Sequence, residues 1–272
     1  MSTTTHSKET TAESATTEKA TAAEKMIIAA AKVLDDDKSV YVGTGMPLLA
    51  AVFAQKTHAP GLLTVYEGGG IGGQPTERLP IQVSESMTFE NGTIVGSMDY
   101  VMSLAQAGFI EYGFLGGAQI DAYGNLNSTL IGTWEDTKVR LPGSGGGADI
   151  ASYCWRNIIL MIQDKRKFVE KLDFFTSPGY FSGPGQREVQ GLPKNTGPYR
   201  VITQLGVYGF SEETKRLKLL HLYEGVTLED VQENSSFEIE VDPNWSYLPE
   251  PTTIERKILH QLDATGIVLG KN

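Results

Sequence analysis

"LLTVYEGGGIGGQP", Leu62 to Pro75, runs an apolar segment into a lone glutamate and then into a dense set of glycines. Gly68, Gly70 and Gly73 satisfy G-x-G-x-x-G behind an apolar segment, which is the form of the dinucleotide fingerprint. That fingerprint works only when a helix opens directly behind it, because the helix N-terminus holds the pyrophosphate. Here "QPTERLP" follows, with Pro75 and Pro80 and no helical period. The stretch is therefore not read as a nicotinamide-nucleotide loop, and no G-K-[ST] marks a nucleoside-triphosphate loop either. What remains is Glu67, a carboxylate at the end of a strand, followed by residues that have no side chains. A carbonyl carbon could approach it closely. On spacing alone, a loop carboxylate facing solvent is the simpler reading.

Working outward, strand and helix patterns alternate. "EKMIIAAAKVLDDD" places Met26, Ile27, Ala30, Val33 and Leu34 at helical spacing. "SVYVGTG" reads as a short buried strand, and "MPLLAAVFAQKTHAP" as a helix with Pro47 in its first turn and Pro60 beyond its end. "LLTVY" is the next strand, "MDYVMSLAQAGFI" a helix, "EYGFLGGAQID" a strand and turn, and "RNIILMIQ" a long apolar strand. "KFVEKLDFFTSPG" and "YRVITQLGVYGFSEETKRLKLLHLYEG" read as strands, the latter with a hairpin near Phe210 to Thr214. Thr227 and Asp230 form a capping-box pattern, and "TTIERKILHQLDA" is a final helix. This alternation predicts an α/β domain over 25–272, a mostly parallel sheet flanked by helices. Residues 1–24 carry Thr, Ala, Glu and Ser with no large apolar side chain, and read as a disordered or weakly ordered tail.

Composition narrows the function. A net charge of −10 argues against a nucleic-acid partner, and "KRLKLLH" (Lys215 to His221) is too short to reverse it locally. No run of about 18 apolar residues predicts a membrane span. The single cysteine, Cys154, cannot form an internal disulfide and lies in an apolar stretch, so it reads as a small core residue of a cytoplasmic protein. His6, His58, His221 and His260 are scattered without metal-ligand spacing, so no metal is expected. In parallel sheets chemistry gathers where strands end. Glycine-bearing loops stand at three such ends, Gly43 to Gly45, Gly68 to Gly73 and Gly116 to Gly117. A fourth cluster, Gly143 to Gly147, precedes a helix predicted from Ala148 or Asp149. Its amides could bind an anion or a carbonyl oxygen, or it could be a flexible turn.

Five ordered motifs, "VGTGMPLLAA", "HAPGLLTVYEGG", "FLGGAQIDAYGNLNSTLIG", "PGSGGGADIAS" and "KLDFFTSPGYFSGPGQRE…GLP", together resemble the β subunit of class I CoA-transferases, and most of all the glutaconate CoA-transferase β subunit. The resemblance runs from about Met26 to the last helix. In that family the catalytic glutamate ends a strand in an E-x-G context, which Glu67 matches; the chain departs by placing Gly68 where Ser or Asn is usual. Glu90 in "FENGTIVG" imitates the same pattern but stands too near "GGAQID" and is read as a turn residue in an Asn-Gly hairpin.

The resemblance implies covalent acyl transfer through a glutamyl-CoA thioester on Glu67, with coenzyme A as substrate. It assigns oxyanion stabilisation to amides around Gly145 and Gly146, and the CoA channel to Gly116, Gly117 and Gln119. Asn127 either fixes that loop or is structural. It also implies an α subunit that supplies most of the acid-binding pocket, in a hetero-oligomer. Relatives on the same fold that open rings of acyl-CoA thioesters or decarboxylate them are the alternative, as is a non-catalytic CoA-binding subunit; an intact Glu67 with an intact glycine loop favours transfer.

Overall fold

The structure, a computed structural model, describes residues 19–74 and 78–270. Its first helix, α1 (Ala22–Ala31), is started by a capping box: the Thr21 hydroxyl accepts from the Glu24 amide, and the Glu24 carboxylate accepts from the Thr21 amide. The helix thus begins inside the stretch expected as a tail; residues 1–18 of that stretch lie outside the described residues. β1 (Ser39–Val42) leads through Gly45, at φ +80°, into α2 (Met46–Thr57), with Pro47 in the first turn. β2 (Leu63–Tyr66) follows. The glycine run behind it turns back as β3 (Gly70–Ile71), antiparallel to β2 with Val65 opposite Ile71. It forms a hairpin and opens no helix, as the prolines predict.

A 3₁₀ turn (Ser86–Phe89) leads to β4 (Ile94–Val95), then α3 (Met98–Gln106) and β5 (Tyr112–Leu115). Two small ribbons follow, β6 (Gln119–Ile120) with β7 (Leu126–Asn127) and β8 (Leu130–Gly132) with β9 (Thr137–Arg140). Then come α4 (Gly147–Tyr153), β10 (Arg156–Leu160), α5 (Gln186–Val189), β11 (Pro198–Ile202), β12 (Gly206–Phe210) and β13 (Leu217–Tyr223). α6 (Leu228–Glu233), β14 (Glu240–Leu248) and α7 (Thr253–Leu262) complete the chain.

The main sheet has ten strands in the order β14-β13-β12-β11-β10-β5-β1-β2-β3-β4. Its centre, β11-β10-β5-β1-β2, is parallel throughout. The chain lays β2 on one side of β1 and then crosses to place β5 on the other. This reversal makes a crevice beyond the carboxyl ends of β1 and β5, the position where open α/β sheets hold their ligands. Strand alternation separates the two faces. Val40 and Val42 pack with α1 and α2 through Met26, Leu49 and Phe53. Tyr41 packs on the other face with Val101 and Ala105 of α3 and Ile150 of α4. Leu49 is fully buried, so its truncation to alanine would cost about 2–5 kcal/mol.

Two expectations fail. "KFVEKLDFFTSPG", Lys167 to Gly179, is not a strand. It makes only isolated bridges, Ile120 with Phe168 and Leu126 with Ser177, while its Asp173 carboxylate turns aside to the Gly132 amide at 2.9 Å. Conversely, β14 carries Pro243 and acidic residues and gave no strand pattern. It pairs with β13 as the sheet's edge, and the register jumps from Leu219–Val241 to His221–Ser246, leaving Pro243 outside the ladder.

Candidate active site

Glu67 is the first residue beyond β2, and the Gly69 amide bonds back to the Tyr66 carbonyl at 2.9 Å to turn the chain sharply after it. Neighbours from distant sequence explain the glycines behind it. Gly69 has φ +116°, and a side chain there would meet the Gly96 carbonyl oxygen at 2.1 Å. A Cβ on Gly68 would stand 2.7 Å from the Val83 carbonyl oxygen and 2.8 Å from Ser84 Cα. Gly68 therefore stands where the resembled family carries Ser or Asn because this chain packs a backbone segment on that position.

The second glycine cluster is anchored at its start by Ser128. The Gly143 amide donates to the Ser128 carbonyl, and the Ser128 hydroxyl donates to the Gly143 carbonyl, each at 2.8 Å. Gly145 takes the left-handed φ of +49°, and the Gly147 amide closes a turn on the Ser144 carbonyl. The helix then begins at Gly147, one residue before the expected start. This path brings the Gly146 amide onto Glu67, donating to Oε1 at 2.9 Å. A bond from an amide to an ionised carboxylate is among the stronger hydrogen bonds in proteins. It also fixes which carboxylate oxygen is held and which is free. The fit leaves no room for a side chain, since a Cβ on Gly146 would lie 2.4 Å from Oε1 and 2.7 Å from Met102 Cε.

Glu67 and Gly146 share a cavity of about 240 Å³ at the switch point of the sheet. The ends of β1 (Val42, Gly43) and β5 (Leu115, Gly116) line it together with the 143–147 loop, Ser128 and Ser177. Glu67 is the one charged side chain among the described residues lining it. Tyr41 forms part of its floor; its hydroxyl donates to the Val101 carbonyl. Burial first, and then the nearby Cys154, Glu67 and Asp149, push the Tyr41 phenol above its ordinary range, so it stays protonated. A larger cavity, about 560 Å³, lies between α2 and the end of α7 and contains neither Glu67 nor the glycine loop.

The other expected site residues divide. Gly145, Gly146 and Gly116 line the cavity with Glu67; Gly117 and Gln119 do not. Gln119 is buried, and its Oε1 accepts from Asn127 Nδ2 at 2.8 Å and from the Asp173 amide at 3.0 Å. Asn127 is structural: it donates to the Leu130 carbonyl at 2.7 Å and accepts from the Thr129 amide, building the turn that precedes β8. Glu90 sits in a turn, but not in a hairpin. With φ −63° and ψ 127° at Glu90 and φ 52° at Asn91, it forms a type II turn closed by Gly92 N–H on the Phe89 carbonyl. Cys154 is fully buried and its thiol is pushed up by that burial, which excludes it as a nucleophile. The sequence reading missed Ser128 and Ser177, although both lie inside quoted motifs. Among the described residues no group of three or more His, Cys, Asp or Glu could hold a metal ion, and no helix is long and apolar enough to cross a membrane.

Comparison with known proteins converges on this geometry. Residues 23–234 match the family model described as coenzyme A transferase. The β subunit of the 3-oxoadipate CoA-transferase of Pseudomonas knackmussii is 37% identical over 88% of this chain and 92% of its own length. The β subunit of the glutaconate CoA-transferase of Acidaminococcus fermentans is 38% identical over 84% of this chain and 87% of its own. The crystal structure of glutaconate coenzyme A-transferase from Acidaminococcus fermentans superposes with a TM-score of 0.87 and 33% identity, covering 93% of this chain and 98% of that one.

Proposed function

The chain belongs to the coenzyme A transferase family, and from that premise we propose that it is the catalytic β subunit of an enzyme moving CoA from an acyl-CoA to a carboxylic acid through a glutamyl-CoA thioester on Glu67. The observation that carries this reading is the Gly146 N–H held on Glu67 Oε1 inside a glycine-walled cavity.

Glu67 Oε2, the oxygen that the Gly146 bond leaves free, attacks the thioester carbonyl carbon. The tetrahedral intermediate collapses with loss of CoA thiolate and leaves an acyl-glutamyl anhydride. The thiolate then attacks Glu67 Cδ. Negative charge now develops on Oε1, the oxygen on which the Gly146 amide already rests, so the donor is in place before the charge appears. Collapse expels the first carboxylate and leaves CoA bound as a thioester of Glu67. A second carboxylate runs the same steps in reverse. One anion enters and one leaves at each stage, so no proton need be moved. The other wall amides at Gly145 and the open backbone at Gly116 fit contacts to the bound thioester and its pantetheine arm.

The cavity offers a nucleophile and backbone donors but no cation to hold the acid's carboxylate. Both curated relatives are named as one subunit of their enzyme, the β subunit in each case. This supports an α subunit that completes the acid pocket in a hetero-oligomer. The single buried cysteine fits a reducing, cytoplasmic setting.

The test is chemical. The assembled enzyme is incubated with acyl-CoA and no acceptor acid, then treated with borohydride. A glutamyl thioester is reduced to the alcohol and activity is lost; hydroxylamine captures it as a hydroxamate. Peptide mapping should place the mass change on the segment containing "LLTVYEGGG". No borohydride-sensitive loss and no mass change there, with a working substrate, would rule out Glu67 as the covalent nucleophile.

A further inference from the structure

Arg187 is 3% exposed, and no carboxylate lies within ion-pairing distance of it among the described residues. Burying a guanidinium without a counter-ion is costly. Burial lowers its pKa to about 10, so it stays charged at neutral pH. Its compensation is a fork of oxygen acceptors. Nη2 donates to the carbonyls of Ala151 and Ser152 and to the Thr196 hydroxyl, at 3.0, 3.0 and 2.9 Å. Nη1 donates to the Gly179 carbonyl at 2.9 Å, with Pro178 O at 3.4 Å.

These carbonyls belong to two walls of the site. Ala151 and Ser152 stand in the last turn of α4, where helix carbonyls lack partners and the helix dipole is negative. The opposite end of α4 carries the Gly146 amide that rests on Glu67. Five residues separate Gly146 from Ala151, about 7.5 Å along a helix. Pro178 and Gly179 directly follow Ser177, which lines the same cavity. α4 has seven residues, too few to hold its own position without tertiary ties.

We propose that Arg187 is a positioning residue: it clamps the rear of α4 to the 177–179 segment and so fixes the Gly146 amide on Glu67 for acyl transfer. The transfer part of this inference rests on the function proposed above; the clamp itself does not. Lysine keeps the charge but concentrates its donors at one point, so it cannot span both sets of carbonyls. Gly197 supplies a second perturbation that leaves the charge intact, because a Cβ there would press on Arg187 Cδ and Nε at 3.2 Å.

The experiment compares wild type, Arg187→Lys and Gly197→Ala as assembled enzymes. Amide hydrogen exchange is read by mass spectrometry on peptides covering 143–154 and 176–182, and kcat is normalised to the Glu67 sites trapped by borohydride. The expected result is faster exchange in both peptides together, a fall of about tenfold or more in kcat per trapped site for Arg187→Lys, and a KM for acyl-CoA within about threefold of wild type. A residue that only stabilised the fold would lower the trapped fraction and leave kcat per trapped site unchanged, and that result overturns the proposal. If wild type itself is not trapped, the proposed function falls, and the exchange measurement decides the clamp alone: unchanged exchange in Arg187→Lys overturns it, coupled loss of protection upholds it.

Discussion

Glu67 and Gly146, 79 residues apart in the chain, are joined by one hydrogen bond from the Gly146 amide to Glu67 Oε1 at 2.9 Å. The bond tests the nucleophile cleanly, because glutamine presents a carbonyl oxygen at the same place. Glu67→Gln should keep the bond and the fold yet lose transfer activity by at least about 10³-fold, the scale on which removal of a covalent nucleophile acts. Glu90→Ala should stay within about threefold of wild type, since Glu90 belongs to a turn outside the cavity lining. Steady-state transfer assays with matched circular dichroism check both. An inactive Glu90→Ala beside an active Glu67→Gln reverses the assignment.

Gly146→Ala probes the other partner. The amide remains, but the methyl must occupy space 2.4 Å from the carboxylate oxygen, so Glu67 has to move. Loss of one preorganised donor of this kind costs about 10²–10³ in kcat. The expected variant is folded, binds acyl-CoA and turns over at that reduced rate. Wild-type kcat in Gly146→Ala would show that the contact is irrelevant to turnover.

The elements around the site were legible where the signal is local. The β1-α2-β2 unit follows from short apolar runs bracketed by Gly45, Pro47 and Pro60, and the capping boxes at Thr227 and Thr252 announce their helices. The hairpin at Gly68 to Gly73 follows the prolines that forbid a helix. What stayed hidden is non-local. That Gly68 faces Val83 and Ser84 depends on a segment folding back from beyond the hairpin. Gln119 looked like a channel residue because glycines precede it, yet its amide is consumed by Asn127 and Asp173. β14 was invisible because an edge strand needs no apolar alternation and tolerates Pro243 outside its ladder. Glu67 itself stood out as a sterically open carboxylate; its pairing with Gly146 is a tertiary fact that no spacing could supply.

Acid stability should report on Glu24. The side chain is 1% exposed and ties α1 to α7 through Arg256 at 3.0 Å and His260 at 2.8 Å. Burial alone would raise its pKa, but the Thr21 amide, Arg256 and His260 outweigh that and hold it at about 2, below its ordinary value of 4.5. A carboxyl depressed in the folded state contributes stability that is fully present above its unfolded pKa and is lost as pH falls through the folded one. Glu24 therefore stabilises the fold above about pH 4.5 and loses that contribution between there and about pH 2. Glu24→Gln should lower the melting temperature at pH 7, and the deficit should shrink as the pH is taken toward 2. A deficit independent of pH across that window would mean that packing, and not charge, is what Glu24 supplies.

Gly68→Ser would restore the residue usual in the family that the sequence resembles, and the structure makes this a destabilising change. The added Cβ meets the Val83 carbonyl oxygen at 2.7 Å and Ser84 Cα at 2.8 Å, both backbone atoms that no rotamer can move aside. Overpacking of this kind costs about 1–3 kcal/mol. For a chain of this size each kcal/mol lowers the melting temperature by about 2–4 °C. Gly68→Ala carries the same Cβ without the hydroxyl and should fall by a similar amount, because the clash is at the first atom of the side chain. Glu67 precedes this position and keeps its bond to Gly146, so kcat per folded site should drop less than about tenfold. Thermal melts of the two variants beside wild type decide it. Equal melting temperatures would mean that the 83–84 segment does not press on Gly68. A loss in serine but not in alanine would assign the cost to the hydroxyl and remove the steric reason for glycine at this position.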